Sequence, residues 1–163
     1  MINIIVSHCR NGGIGFKTQV PWTLGADLNR FRFLTVGNKN NSVIMGRKRW
    51  ENLGSNALSD RTNIIISKTM KTYSNDVNVF KTIEDANEYC RSMNFDENWV
   101  IGGSEIYGEY LRNDIVDLVY TTDINMEFEC DTFFPELTNY KLIKSYSVMN
   151  GRDVVYTNKT YGK

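Results

Sequence analysis

Asp27 sits one position from Leu28 within a helical pattern in which Leu24, Leu28, Phe31 and Leu34 or Thr35 share one face. A carboxylate beside an apolar stripe is costly unless something pairs with it. Before it, Gly12, Gly13 and Gly15 form a glycine-rich loop, followed by Pro21-Trp22. A pliable loop, an indole and a burial-prone acid so close together are the ingredients of a lidded pocket with an acid in its wall.

Two other segments suit phosphate. Gly46-Arg47-Lys48-Arg49 stands at a strand-to-helix turn, where a bound anion would reconcile cations with the positive end of the helix. Ile101-Gly102-Gly103-Ser104-Glu105-Ile106-Tyr107 runs a strand through paired glycines into a helix, so a pyrophosphate could approach bare backbone N–H groups. Neither is a G-x-G-x-x-G fingerprint or a G-x-x-x-x-G-K-[ST] loop. Two such turns on one small sheet suit a dinucleotide. Ser67 and Lys68, at the end of a third strand, add a hydroxyl and a cation fit for a 2′-phosphate, which favours NADP over NAD.

Composition narrows the alternatives. The chain has 163 residues and a formal net charge of +0, without the basic excess of a nucleic-acid or membrane-surface binder. No apolar run reaches the ~18 residues of a membrane span, and the start lacks a signal-peptide pattern. Cys9, Cys90 and Cys130 are far apart in sequence and read as free thiols of a reducing cytoplasm. His8 is the only histidine, which argues against a His-based metal site; it reads as structural, and no metal is expected.

The elements that must position these groups follow from periodicity. Strands are expected over Ile2–Ser7, Ser42–Met45, Thr62–Ser67, Val77–Phe80, Trp99–Ile101 and Asp117–Ile124. Helices are expected from about Gly25 to Thr35, over Arg47–Leu53, over Ile83–Met93 with Ala86, Tyr89, Cys90 and Met93 inward, and over Ser104–Leu111 with Ser104 as cap. Residues 9–23 read as a loop. Asn150-Gly151 between β-rich runs signals a closing hairpin. The order implies one α/β domain spanning 1–163, with a mostly parallel central sheet, an antiparallel C-terminal hairpin and helices on both faces.

Taken together, these motifs resemble the dihydrofolate reductase family, in its stand-alone bacterial form. The resemblance rests on Ile14-Gly15, Pro21-Trp22, Ala26-Asp27-Leu28 with Phe31, Val43-Ile44-Met45-Gly46-Arg47 with Trp50-Glu51, Arg61-Thr62-Asn63-Ile64, Ile101-Gly102-Gly103 with Ile106-Tyr107, Tyr120, Thr122, and Asp131-Thr132 with Phe134-Pro135. It implies NADPH-dependent reduction of 7,8-dihydrofolate to tetrahydrofolate, supplying one-carbon metabolism and thymidylate and purine synthesis. It further implies a cytoplasmic monomer that binds dihydrofolate and antifolates, but neither nucleic acid nor membrane. A related NADPH-dependent pyrimidine reductase on the same fold is the alternative; the set Asp27, Phe31, Thr122 and Arg61 argues against it.

By the same resemblance, Asp27, Thr122 and Trp22 are catalytic. Asp27 would bind the pterin and favour protonation at N5, Thr122 would hydrogen-bond that acid, and Trp22 would hold a water. Ile5, Val6, Leu28, Phe31, Leu53, Leu58 and Ile101 would enclose the substrate, and Arg61 would clamp its glutamate carboxylate. Ser7, Gly13, Ile14, Gly15 and Gln19 would border the nicotinamide. Gly46, Arg47, Lys48, Arg49, Ser67, Lys68 and Lys81 would serve phosphates and adenosine. Ile101, Gly102, Gly103, Ser104, Glu105, Ile106 and Tyr107 would hold the pyrophosphate and nicotinamide, with a cis peptide between the glycines. The chain departs from the common pattern at Val20, Gly25, Lys48, Arg49, Ser55 and Ser104.

Overall fold

A computed structural model describes residues 1–16, 25–71 and 76–163. Gln19, Val20, Pro21, Trp22 and Leu24, singled out above, lie outside the described residues. Among the described residues, ten strands and four helices follow in the order β1 (Ile2–His8), β2 (Gly13–Gly15), α1 (Gly25–Val36), β3 (Ser42–Gly46), α2 (Arg47–Asn52), β4 (Thr62–Ile66), β5 (Val77–Phe80), α3 (Ile83–Met93), β6 (Asn98–Gly102), α4 (Ser104–Arg112), β7 (Leu118–Ile124), β8 (Thr132–Phe133), β9 (Lys141–Asn150) and β10 (Asp153–Gly162).

The main sheet has eight strands in the order β5-β4-β3-β6-β1-β7-β10-β9. From β5 to β7 every neighbouring pair is parallel; β10 is antiparallel to both β7 and β9. The expected parallel sheet with an antiparallel C-terminal hairpin is therefore the observed one. Alternation along each strand sends side chains to opposite faces. Ile4, Val6, Ile44, Ile64 and Val100 form a core with Ile83, Ala86 and Cys90 of α3 and Ile106, Tyr107 and Tyr110 of α4. Ile5, Val43, Met45, Ile65, Trp99 and Ile101 face the other way, onto Phe31 and Leu34 of α1 and Trp50 of α2. Each central strand is buried on both faces, which is why it reads as a nearly continuous apolar run.

Several local expectations are corrected. Residues 9–16 are not all loop: Gly13–Gly15 pairs antiparallel with Thr132–Phe133. Isolated pieces this short carry no periodic signal; each exists because the other is there. Gly13 is required at this contact, since a Cβ there would collide with the Cys130 side chain. Leu28 does not face the core. It is 61% exposed, as a wall residue of an open cavity must be. Met93 is also exposed, and Asn87 takes the inward place on α3, accepting from Tyr110 Oη at 2.9 Å. Ser104 does not cap α4: Gly103 is the N-cap residue and makes no side-chain bond. Helices do not cover the hairpin end, where nearly all of β9 is exposed.

The distant cysteines are free, yet Cys9 and Cys130 bring their sulfurs to 3.8 Å. His8 is held by Asp123 at 2.9 Å through Nε2 and by the Cys9 carbonyl at 3.0 Å through Nδ1. No helix among the described residues is long and apolar enough to cross a membrane.

Candidate active site

Parallel strands all end at the same edge of a sheet, so the turns that follow them converge there. Here Ser7, Gly46-Arg47, Ser67-Lys68, Lys81 and Gly102-Gly103 meet along one cavity of about 1530 Å³. Of the residues singled out above, Ile5, Val6, Ser7, Ile14, Gly15, Asp27, Leu28, Phe31, Gly46, Arg47, Lys48, Arg49, Leu53, Leu58, Arg61, Ser67, Lys68, Lys81 and the whole run Ile101 to Tyr107 line it. Thr122 is buried behind the wall. Gly13 is not in the wall; it lies one residue from Ile14, in β2.

Asp27 enters from the first turn of α1. Cross-strand register sets Ser7 of β1 opposite Thr122 of β7, and Thr122 opposite Asn158 of β10. Thr122 Oγ1 donates to Asp27 Oδ1 at 2.8 Å. Burial raises the Asp27 carboxyl above its ordinary range; hydrogen bonds from Thr122 and Ser7 and the charge of Arg30 oppose that shift. The apolar groups around it are Ile5, Leu28, Phe31 and Ile101. A raised acid in such a wall can hold a proton at pH values where a surface aspartate has lost it.

Arg61 lies at the same end of the cavity as Phe31. Its Nε donates to Ser59 O at 2.8 Å and its Nη1 to Thr35 Oγ1 at 3.0 Å, which fixes the plane of the guanidinium. Its carbon stands 6.0 Å from the Phe31 ring centroid. Burial, then the nearby Arg32, lower its pKa, and Asp60 opposes them. The loop carrying Leu58 and Arg61 is pinned by Asn63, which is 2% exposed. Asn63 Oδ1 accepts from Leu58 N at 2.9 Å, and Nδ2 donates to Leu58 O at 2.9 Å and Arg61 O at 3.0 Å.

The other end of the cavity is cationic. Arg47 is held by Glu51 at 2.8 Å and by Thr69 Oγ1 at 3.1 Å. The α2 start has Gly46 as N-cap with no side-chain bond. Arg49 Nε is buried and has no hydrogen-bond partner among the described residues. Across from it, the Gly102-Gly103 peptide is cis and Gly102 has φ +120°. A Cβ at Gly102 would stand 3.2 Å from Tyr107 Oη, and one at Gly46 only 2.9 Å from Ile106 Cγ1. Tyr107 Oη donates to Ile5 O at 2.8 Å, and burial raises its pKa far above the ordinary tyrosine range. Two uncapped helix starts, bare glycine backbone and an unsatisfied guanidinium N–H fit a multiply charged, phosphate-bearing cofactor.

The wall also contains Arg32, Asn52, Ile66, Thr69, Thr82, Glu84, Glu109, Asp131, Thr132 and Phe133, which sequence reasoning did not place there. Thr69 and Thr82 had a usable signal, since each closely follows a strand end in the converging set. Glu109 had none: only the seating of α4 turns it to the cavity.

The chain's residues 1–162 match the family model described as dihydrofolate reductase. It is 35% identical over 156 residues to a dihydrofolate reductase of Aedes albopictus, covering 88% of this chain and 84% of that protein. It is 40% identical over 136 residues to a dihydrofolate reductase of Haemophilus influenzae, covering 83% of this chain and 79% of the other. A bifunctional dihydrofolate reductase-thymidylate synthase of Paramecium tetraurelia is 40% identical over 131 residues, 80% of this chain; the match spans only 27% of that longer protein. The fold superposes with TM-score 0.85 on a dihydrofolate reductase from Enterococcus faecalis complexed with NADP(H) and RAB-propyl, at 26% identity, covering 99% of this chain and 95% of the other. The chain belongs to the dihydrofolate reductase family.

Proposed function

We propose that this chain reduces 7,8-dihydrofolate to tetrahydrofolate at the expense of NADPH, as a one-domain monomer in the cytoplasm. The observation that carries the reading is the cavity's polarity. A half-buried carboxyl with a raised pKa faces apolar side chains near the fixed guanidinium of Arg61, and the opposite end is built from cationic turns and glycine backbone. A flat heterocycle with an acidic tail matches the first end, and a pyrophosphate-linked dinucleotide the second.

NADPH, when bound, supplies the hydride. The chain's own groups bind, orient and manage the proton. Asp27 holds the pterin's amino edge and keeps proton density available for N5. Thr122 and Ser7 fix the orientation of that carboxyl. Leu28, Phe31, Leu53, Leu58, Ile5, Val6 and Ile101 exclude water from the ring and the benzoyl group, and Arg61 takes the tail carboxylate. Arg47, Lys48 and Arg49 serve phosphates, Ser67 and Lys68 the 2′-phosphate, and Lys81 the adenine side. Gly102 to Tyr107 hold the pyrophosphate and nicotinamide, with Ser7, Ile14 and Gly15 bordering the ring. Pre-positioning of this kind is where a cofactor enzyme's protein contributes most.

The test is loss of NADPH absorbance on mixing purified protein with dihydrofolate. No loss with folded protein would refute the reading. Asp27→Asn should retain NADPH binding and lose turnover near neutral pH.

A further inference from the structure

An amide lies behind the acid, on the inward side of a strand. Asn158 of β10 is only 3% exposed, and Thr122 only 1%. Burying an amide costs free energy unless its hydrogen bonds are made. Asn158 Oδ1 stands 3.0 Å from Thr122 Oγ1, and that same hydroxyl stands 2.8 Å from Asp27 Oδ1. A hydroxyl carries a single proton. With Asp27 ionised and Oδ1 of Asn158 facing inward, both neighbours of Thr122 accept, and one of the two contacts has no proton in it.

Two arrangements put a proton in both contacts. With Asp27 as carboxylate, the amide turns its Nδ2 toward Thr122, donates to Oγ1, and leaves the Thr122 proton committed to Asp27. With Asp27 as carboxylic acid, its O–H donates to Thr122 Oγ1, and Thr122 donates to Oδ1 of Asn158. A half-turn of the terminal amide converts one into the other. Asparagine can play both parts because it carries a donor and an acceptor on one planar group. A carboxylate or an aliphatic residue could not.

We propose that Asn158 is a positioning residue whose amide turns with the charge of Asp27, directing the Thr122 proton and favouring the ionised acid. The preference follows because a donor chain ending on a charge is stronger than one ending on a neutral carboxyl. Among the described residues, the groups acting on Asp27 are Thr122, Ser7 and Arg30. The flanking charges Asp123 and Lys159 point to the opposite face of the sheet, where they pair with each other at 2.7 Å. His8 also bonds to Asp123 on that face, at 2.9 Å. The inference rests on the assignment of Asp27 as the reaction's acid only for its consequence in turnover.

The experiment is NMR titration of the ligand-free protein, following the Asp27 carboxyl carbon and the Asn158 side-chain amide. In the unaltered chain the Asn158 amide signals should shift with the same midpoint as Asp27, and that shift should vanish in Asp27→Asn. Asn158→Leu should raise the Asp27 midpoint by ~0.5–1 unit, and should leave it unmoved in a Thr122→Val background. Amide signals that ignore pH, or an Asn158→Leu shift that persists without the Thr122 hydroxyl, would overturn the proposal. The limb of kcat/KM that falls as pH rises should follow the carboxyl midpoint. If the midpoint moves and the limb does not, Asn158 still positions Asp27, and it is the assignment of Asp27 to the reaction that fails.

Discussion

Asn63 makes no contact with the cavity, yet Asn63→Ala should damage one half of it selectively. The substitution deletes three hydrogen bonds from a buried amide to the loop that carries Leu58 and Arg61. At ~1 kcal/mol net for each, with part of the loop backbone able to recover water, the loss is about 2–4 kcal/mol. For a chain of 163 residues that corresponds to a fall in Tm of roughly 5–15 °C. The backbone ladder of β4 remains, so Ser67 and Lys68 beyond its end should stay in place. The Arg47–Arg49 turn is held through Glu51 and Thr69 and shares none of the deleted bonds. KM for dihydrofolate should therefore rise severalfold to tenfold while KM for NADPH stays within a factor of about two, a difference worth ~1 kcal/mol. Steady-state kinetics with each substrate varied in turn, at a temperature where the variant is folded, makes the comparison. A parallel rise in both KM values, or an unchanged KM for dihydrofolate in a destabilised variant, would refute the claim that Asn63 acts by fixing this loop.

Other outcomes follow from the same structure. Arg61→Ala should weaken dihydrofolate far more than a pterin lacking the glutamate tail, and equal losses in a binding titration would remove Arg61 from that role. Burial of Asp123 alone would raise its carboxyl, but hydrogen bonds from His8 and Lys159 outweigh it and hold the group at about 2, below its ordinary 3.8. Its contribution is thus present above pH 3.8 and lost as pH falls through 2, on the order of 2 kcal/mol in full. Asp123→Asn should cost about that near pH 5 and progressively less toward pH 2, read from urea unfolding. For Asp27 the sign reverses: a folded-state carboxyl raised by burial destabilises the fold once ionised. Asp27→Asn should raise Tm near neutral pH, and the gain should vanish below pH 3.8, where the carboxyl is protonated folded or unfolded.

Much of this molecule is written in local chemistry. The central strands sit between two layers of helices, so their apolar runs mark them regardless of context. Asn150-Gly151 marks the hairpin because Gly151, at φ +63°, takes a conformation that most residues avoid. Asp27 drew notice as a charge beside an apolar stripe, and the glycine pair and basic turn as places for phosphate. All of these depend on a residue's own preferences or on neighbours within a turn or two.

Tertiary structure decided what lies between distant segments. The pairing of Gly13–Gly15 with Thr132–Phe133 and the approach of Cys9 to Cys130 join residues more than a hundred positions apart, and no periodicity encodes them. The outward turn of Leu28 depends on a cavity opening over that part of α1. The row Ser7–Thr122–Asn158 exists only because β1, β7 and β10 are neighbours in register. Asp27 is legible in sequence as an acid out of place. What sets its protonation is the burial the fold imposes, opposed by the hydroxyls of Ser7 and Thr122 that two other strands bring to it, because ångström-scale proximity across a sheet is fixed by strand order and register.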